Sequence, residues 1–96
     1  MKLLWTPEAI KCLSELEEYI SRDNAVKAIN FVTELLDKPN LLLKNPKVGR
    51  IVPELSNELI RELIYKNYRI VYRIKPEQIE ILTVFEGHML FKEDKF

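Results

Sequence analysis

Hydrophobic positions along this 96-residue chain follow two different spacings, and the change between them predicts the order of its elements. In the first half, apolar residues recur every three or four positions over two stretches, which is the spacing of an amphipathic α-helix. In the second half, three stretches alternate apolar and polar residues, which is the spacing of a β-strand. The predicted bounds are 2–5 for a first short strand, 6–22 and 24–37 for two helices, and 59–65, 68–74 and 79–85 for three further strands. This β-α-α-β-β-β order predicts a single α+β domain over residues 1–96, with a helical hairpin packed on one face of an antiparallel sheet.

Start and stop signals frame both predicted helices. Thr6 precedes a proline and an acid, which together suit an N-cap and the first turn of a helix. Asn24 can cap the second helix, and Pro39 ends it because proline cannot occupy a helix interior. Residues 44–55 contain two prolines and a glycine, and they are predicted to form a loop.

The short loops between the last three strands predict a register in which Tyr65 faces Tyr68 and Ile74 faces Ile79. One face of the sheet is then mostly apolar, and we expect the helices to cover it: Leu59, Arg61, Leu63, Tyr65, Tyr68, Ile70, Tyr72, Ile74, Ile79, Ile81, Thr83 and Phe85. The opposite face mixes charges with large aliphatic residues: Ile60, Glu62, Ile64, Arg69, Val71, Arg73, Glu80, Leu82, Val84 and Glu86. Only the last few residues remain to cover this second face. We therefore expect a partner protein on its aliphatic residues, which are Ile60, Ile64, Val71, Leu82 and Val84.

The second face carries two arginines, and the predicted register gives them different neighbours. Arg73 lies across from Glu80 and diagonally from Glu62, so Arg73→Ala is expected to cost up to about 1 kcal/mol of stability. Arg69 has aliphatic neighbours and no carboxylate directly opposite it. We expect Arg69, together with Arg50 of the loop, to contact a target or a partner, and Arg69→Ala to leave stability nearly intact.

Composition narrows the class of protein. Hydrophobic residues make up 47% and charged residues 31%, which is typical of a globular domain. The single Cys12 cannot form an internal disulfide, and one cysteine with one histidine does not suggest a metal site. No apolar run approaches the length that spans a bilayer and no cofactor motif is present, so we expect a cytoplasmic protein with no cofactor and no membrane contact.

Charge is unevenly distributed, although the net charge is zero. Residues 1–43 carry net −2, residues 44–75 carry net +5 and residues 76–96 carry net −3. Such a basic island is one signature of a surface that meets nucleic acid. It also leaves one catalytic alternative open, in which a cation, a proton acceptor and a proton donor cleave a phosphodiester. The residues that could converge for this purpose are Arg69, Glu86 and His88, with Lys44, Lys47 or Arg50 from the loop.

Several segments together resemble the RelE/ParE superfamily of bacterial toxins. They are "WTPEAIKCLSELEEYI", "DNAVKAINFVTELL", "GRIVPEL", "IRELIYKNYRIVYRI" and "IEILTVFEGH", and they occur in the order typical of that superfamily from Trp5 to about Leu90. The resemblance implies a compact β-α-α-β-β-β fold and the toxin role in a type II toxin–antitoxin pair. It also implies a cognate antitoxin that wraps the toxin and masks it.

Within that superfamily the resemblance implies two different targets. RelE-like members cleave mRNA on the ribosome without a metal, and Arg69 falls where they carry an arginine that contacts the scissile phosphate. ParE-like members inhibit DNA gyrase and are not nucleases. Relatives of this type read roughly "VFHGRR" where this chain has "VFEGHM", so Glu86, His88 and Met89 replace a histidine and basic residues.

The phrasing of "GRIVPEL" and "IREL…YRIVYRI" is closer to the ParE branch, and we expect a non-enzymatic, gyrase-directed toxin. Two alternatives stay open. One is a ribosome-dependent mRNA endonuclease, with Arg69 on the phosphate, His88 or Glu86 in proton transfer, and Arg50 beside them. The other is a homologue that binds its antitoxin but has lost toxicity.

Overall fold

The computed structural model describes residues 1–87 of the chain. Its elements follow the predicted order and are strand β1 (Lys2–Trp5), helix α1 (Pro7–Ser21), helix α2 (Ala25–Asp37), a 3₁₀ helix (Lys38–Leu43), and strands β2 (Arg50–Ile51), β3 (Ile60–Tyr65), β4 (Tyr68–Ile74) and β5 (Gln78–Glu86). Two helices packed on one sheet make an α+β fold, as predicted. The short strand β2 was not predicted, because its two residues lie inside the proline-containing loop.

Side-chain caps explain where both helices begin. The hydroxyl oxygen of Thr6 accepts a hydrogen bond from the backbone N–H of Ala9 at 3.2 Å, and the hydroxyl donates to the carbonyl of Ile81 at 2.7 Å. The same residue therefore caps α1 and ties its first turn to β5. Asn24 caps α2 by accepting from the N–H of Lys27 at 3.0 Å.

The sheet is mixed rather than purely antiparallel. Its strand order is β1-β5-β4-β3-β2, and β1 runs parallel to β5 while the remaining neighbours are antiparallel. The helical hairpin supplies the long crossover from β1 to the rest of the sheet, which a parallel pair requires.

The predicted register is correct at both hairpins, since Tyr65 pairs with Tyr68 and Ile74 pairs with Ile79. Between them, however, β5 has a bulge: Val71 pairs with Thr83 while the next residue, Tyr72, pairs with Ile81. The extra residue shifts the rest of β5 by one position, and a shift of one exchanges the two faces of a strand.

The bulge makes three face assignments of the sequence analysis wrong. Val84 packs into the core on the helix side, and Phe85 packs on the other side, where it pairs with Arg69. Glu86 pairs with Tyr68 and not with the arginine face.

The main core lies between the helices and the sheet. It contains Ala9 and Leu13 of α1, Val32 and Leu35 of α2, Leu42 of the 3₁₀ helix, and Leu63, Ile70, Tyr72, Ile79, Ile81 and Val84 of the sheet. No helix within residues 1–87 is long and apolar enough to cross a membrane.

Candidate functional site

The sheet face away from the helices is covered by residues 52–57, which we call the covering segment. Val52 of this segment is fully buried and packs against Val71 and Leu82, and Leu55 packs beside them. The expectation that Ile60, Val71 and Leu82 lie uncovered is therefore wrong: Val71 and Leu82 are buried, and Ile60 is half-buried. Ile64, at 50% exposure, is the member of that predicted set that remains on the surface.

Four charged side chains form one chain of ion pairs at this face, in which Glu62 and Arg69 are buried while Glu54 and Arg50 at the two ends reach the surface. Arg69 Nε donates to Oε1 of Glu62 at 2.6 Å, and its two terminal nitrogens donate to both carboxylate oxygens of Glu54 at 2.7 and 2.9 Å. Arg50 Nε donates to the second oxygen of Glu62 at 2.5 Å. The order Glu54–Arg69–Glu62–Arg50 alternates the sign of charge and leaves no net charge within the set.

Burial makes these pairs mutually dependent. The side chain of Glu62 is 0% exposed and that of Arg69 is 6% exposed, so removal of either charge would leave the other in a poorly solvated place. The hydrogen bonds to Glu54 are the main cause that raises the pKa of the Arg69 guanidinium, against the opposing effect of burial. The guanidinium carbon also lies 5.0 Å from the centroid of the Phe85 ring, which adds a cation–π contact.

The expectation that Arg69 has no carboxylate partner is thus wrong. The contact of Arg69 with Glu62 could have been predicted from the sequence, because the predicted register makes Glu62 a diagonal neighbour of Arg69 as well as of Arg73. The contact with Glu54 could not, because Glu54 lies in a segment with no periodic pattern. Arg73 does pair with Glu80, at 3.7 Å, as predicted, whereas Glu62 is engaged by the other two arginines.

Residues 44–50, which we call the basic loop, are fastened to the edge of the sheet by two side chains from the strands. The hydroxyl of Tyr72 donates to the carbonyl of Pro46 at 2.7 Å and accepts from the N–H of Gly49 at 3.0 Å. A guanidinium nitrogen of Arg61 donates to the carbonyl of Gly49 at 3.0 Å. The basic loop is therefore a defined structure, and it delivers Arg50 to the ion network.

Gly49 is required by this close approach. A Cβ atom at Gly49 would lie 2.5 Å from the Tyr72 hydroxyl and 2.7 Å from the carbonyl oxygen of Glu62. The second of these atoms belongs to the backbone and cannot move aside. The glycine of "GRIVPEL" thus has a packing reason at this position.

The structure brings together only part of the catalytic set considered from the sequence. Arg69 and Arg50 share Glu62, but Glu86 lines a groove with Cys12, Tyr19 and Tyr68 on the helix side. His88 lies outside the described residues. Within residues 1–87 no group of three potential metal-ligating side chains occurs.

A separate polar cluster joins α2 to the β3–β4 hairpin. The hydroxyl of Tyr65 donates to Glu34, and the ammonium of Lys66 lies 3.2 Å from the same carboxylate. The hydrogen bond from Tyr65 lowers the pKa of Glu34, and the same bond raises the pKa of the Tyr65 hydroxyl. Glu34 is therefore committed to the sheet.

Comparison with known proteins agrees with this architecture. Residues 3–91 match the family model described as the ParE toxin of type II toxin–antitoxin system, parDE. A solved chain described as "Chromosomal ParDE TA system from P. aeruginosa" aligns with a TM-score of 0.75 and 22% sequence identity, over 90% of this chain and 95% of that chain. At that identity the structural likeness shows the fold alone. A search of curated proteins found no match. Because the family match extends over nearly the whole sequence, this chain belongs to the ParE toxin family of type II toxin–antitoxin systems.

Proposed function

We propose that this chain is a toxin that inhibits DNA gyrase in the cytoplasm and is neutralised by a cognate antitoxin. Inhibition would occur by binding and would need no bond cleavage by the toxin and no cofactor. Membership of the ParE family supports the toxin role, and the target is our proposal.

The state of Arg69 is the observation that carries the choice of gyrase over mRNA. In the ribonuclease alternative this arginine would hold the scissile phosphate. Here all three guanidinium nitrogens already donate to carboxylates, and the side chain is only 6% exposed. A phosphate would have to displace Glu54, which binds through both of its oxygens, and enter beneath the covering segment. The separation of Glu86 from the arginine network argues in the same direction.

Two assays on one preparation test the proposal. The purified chain is titrated into a gyrase supercoiling reaction, and into a translating extract in which mRNA ends are mapped. We expect loss of supercoiling without cleavage of mRNA. Addition of the antitoxin, which would be encoded by the reading frame next to that of the toxin, is expected to restore supercoiling.

The opposite results have distinct meanings. Cleavage of ribosome-bound mRNA with normal supercoiling would replace gyrase by the ribosome as target. Inactivity in both assays, with normal growth of cells that express the chain, would mean that toxicity has been lost. Either result would overturn the proposal.

A further inference from the structure

The basic loop carries cations that the ion network does not neutralise. Residues 44–50 contain three basic side chains and no acidic one. Lys44 and Lys47 are exposed, and neither ammonium group forms an ion pair with a carboxylate of residues 1–87. Their charges are therefore available to a ligand.

Arg61 adds a charge that also lacks a carboxylate. Its Nε donates to the backbone carbonyl of Glu58 at 2.9 Å, and one terminal nitrogen donates to the carbonyls of Gly49 and Lys47 at 3.0 and 3.3 Å. Carbonyl groups satisfy the hydrogen bonds of a guanidinium but do not cancel its charge. Since the ion network is neutral in itself, Lys44, Lys47 and Arg61 leave an excess of positive charge here, even when the exposed Glu58 is counted against them.

Arg50 is held so that one end of its side chain stays available. Its Nε donates to the buried Glu62 at 2.5 Å, while 57% of the Arg50 side chain is exposed. Its two terminal nitrogens donate to no group of the described part of the chain. A guanidinium that is fixed through Nε can bind a phosphate through two parallel hydrogen bonds from its terminal nitrogens.

The backbone of the basic loop is fixed before any ligand binds. Besides its bonds to the Tyr72 hydroxyl, the loop has internal turns: the N–H groups of Lys44 and Asn45 donate to the carbonyl of Leu41 at 3.3 and 3.2 Å, and the N–H of Val48 donates to the carbonyl of Asn45 at 3.2 Å. A loop that is already ordered loses less entropy when it binds. The cations thus form a preformed surface at the β2 edge of the sheet.

The composition of the basic loop favours a duplex over single-stranded nucleic acid. Single strands are bound largely by stacking of their bases on aromatic side chains. Residues 44–51 contain no aromatic residue, and the ring of Tyr72, whose hydroxyl holds the loop, is fully buried. Lysines and arginines without aromatic neighbours are suited to the phosphates of a duplex, which they bind without reading its sequence.

We infer that the basic loop, with Arg61, binds the phosphate backbone of duplex DNA, so that the toxin contacts the DNA held by gyrase as well as the enzyme. The choice of DNA as the source of phosphate rests on the proposed function, because gyrase acts on a DNA duplex. The net charge of the chain is zero, so attraction to DNA depends on this local excess of cations and not on the charge of the whole protein.

The test measures fluorescence anisotropy of a labelled DNA duplex of about 20 base pairs, at about 50 mM salt, as the purified chain is added. The wild type should bind with a Kd of about 10–100 μM, and the loop variant, which combines Lys44→Glu with Lys47→Glu, should bind at least about tenfold more weakly. Both lysines are exposed, so the fold should be retained, and circular dichroism checks this.

The matched control is a helix variant that combines Lys11→Glu with Lys27→Glu. Both residues are exposed and lie on the helical hairpin, and the change in net charge equals that of the loop variant. The helix variant should keep its affinity within about twofold, because exposed charges distant from the duplex are screened by salt. The logarithm of affinity should also depend less steeply on the logarithm of salt concentration in the loop variant, by about two, because each lost phosphate contact lowers that slope by about one.

Three outcomes would overturn the inference. The first is an absence of binding by the wild type, and the second is an equal loss of affinity in the loop and helix variants. The third is tighter binding of single-stranded DNA or of duplex RNA than of duplex DNA, which would make another nucleic acid the ligand.

The same variants in the gyrase supercoiling reaction separate this inference from the proposed function. If the wild type binds the duplex through the basic loop but does not inhibit gyrase, the proposed target is wrong and the DNA-binding surface stands. If the loop variant loses the duplex but inhibits gyrase as strongly as the wild type, the inferred contact with gyrase-held DNA is wrong and the proposed target stands.

Discussion

Aliphatic side chains are buried on one of the two broad surfaces of this domain and exposed on the other. On the sheet face away from the helices, Val71 and Leu82 are sealed under the covering segment, and the charges beside them are paired and buried. On the outer face of the helical hairpin, Val26 and Ile29 stand in solvent. Alternation along a strand therefore predicts which residues share a face only as far as the next bulge, and the position of a non-periodic loop determines whether that face is exposed. A helix with two apolar faces can bury only one of them in a two-layer domain.

The largest difference in stability is expected when the two arginines of the sheet are substituted. Arg69→Ala should lower the free energy of unfolding by about 3–5 kcal/mol, since it leaves the buried Glu62 with only Arg50 as partner. Arg73→Ala should cost no more than about 1 kcal/mol, because its pair with Glu80 is partly exposed. Urea unfolding of both variants measures the difference. Equal losses would show that Arg69 is as exposed to solvent as Arg73. A larger loss in Arg69→Ala is the reverse of the ranking expected from the sequence.

Gly49→Ala tests the attachment of the basic loop to that same face. We expect a loss of about 2–3 kcal/mol, because the new Cβ overlaps the Tyr72 hydroxyl and a backbone carbonyl. Thermal unfolding reports the loss. An unchanged unfolding temperature would mean that the basic loop can move away from the sheet without loss of stability.

Tyr72→Phe removes the hydroxyl that holds the basic loop and should cost about 1–2 kcal/mol, because the N–H of Gly49 loses its acceptor. Burial raises the pKa of Tyr72 above its ordinary value of 10.0. A raised pKa contributes stability that is present below the ordinary value and is lost as the pH rises through the raised one. As the pH rises above the ordinary value of 10.0, the wild type should therefore lose more stability than Tyr72→Phe. Parallel pH dependences would contradict the burial of this hydroxyl.

The smallest effect is expected on the helical hairpin. Ile29→Lys should change the free energy of unfolding by no more than about 0.5 kcal/mol, because its side chain is already in water. Val71→Ala on the sheet face, although the milder substitution, should cost about 2 kcal/mol through lost burial and a cavity. Denaturant titrations of these two variants compare how much a side chain on each face contributes to the free energy of unfolding. A large loss in Ile29→Lys would show that this exposed side chain contributes to the domain's own stability.

Elements set by local chemistry could be predicted from the sequence, and elements set by distant contacts could not. The caps at Thr6 and Asn24 and the hairpin pairs Tyr65–Tyr68 and Ile74–Ile79 depend on residues a few positions apart. The bulge in β5 does not, since nothing in the alternation of residues 78–86 marks an extra residue. Its effect on the candidate site was large, because it placed Phe85 rather than Val84 against Arg69.

The order of elements, the caps of both helices, the residue pairs at the two hairpins and, through the resemblance of its ordered segments, the toxin family could all be predicted from the sequence. Periodicity and capping depend on residues that are close together in the sequence, so they can be recognised before the tertiary structure is known. The tertiary fold was needed to bring Glu54 to Arg69 and to bury Val71 and Leu82 under the covering segment. Those outcomes depend on where residues 52–57 settle, which is governed by the burial of Val52 and Leu55 against strands distant in the chain. On the other side of the sheet the helices form the outer layer, and Val26 and Ile29 of α2 remain exposed.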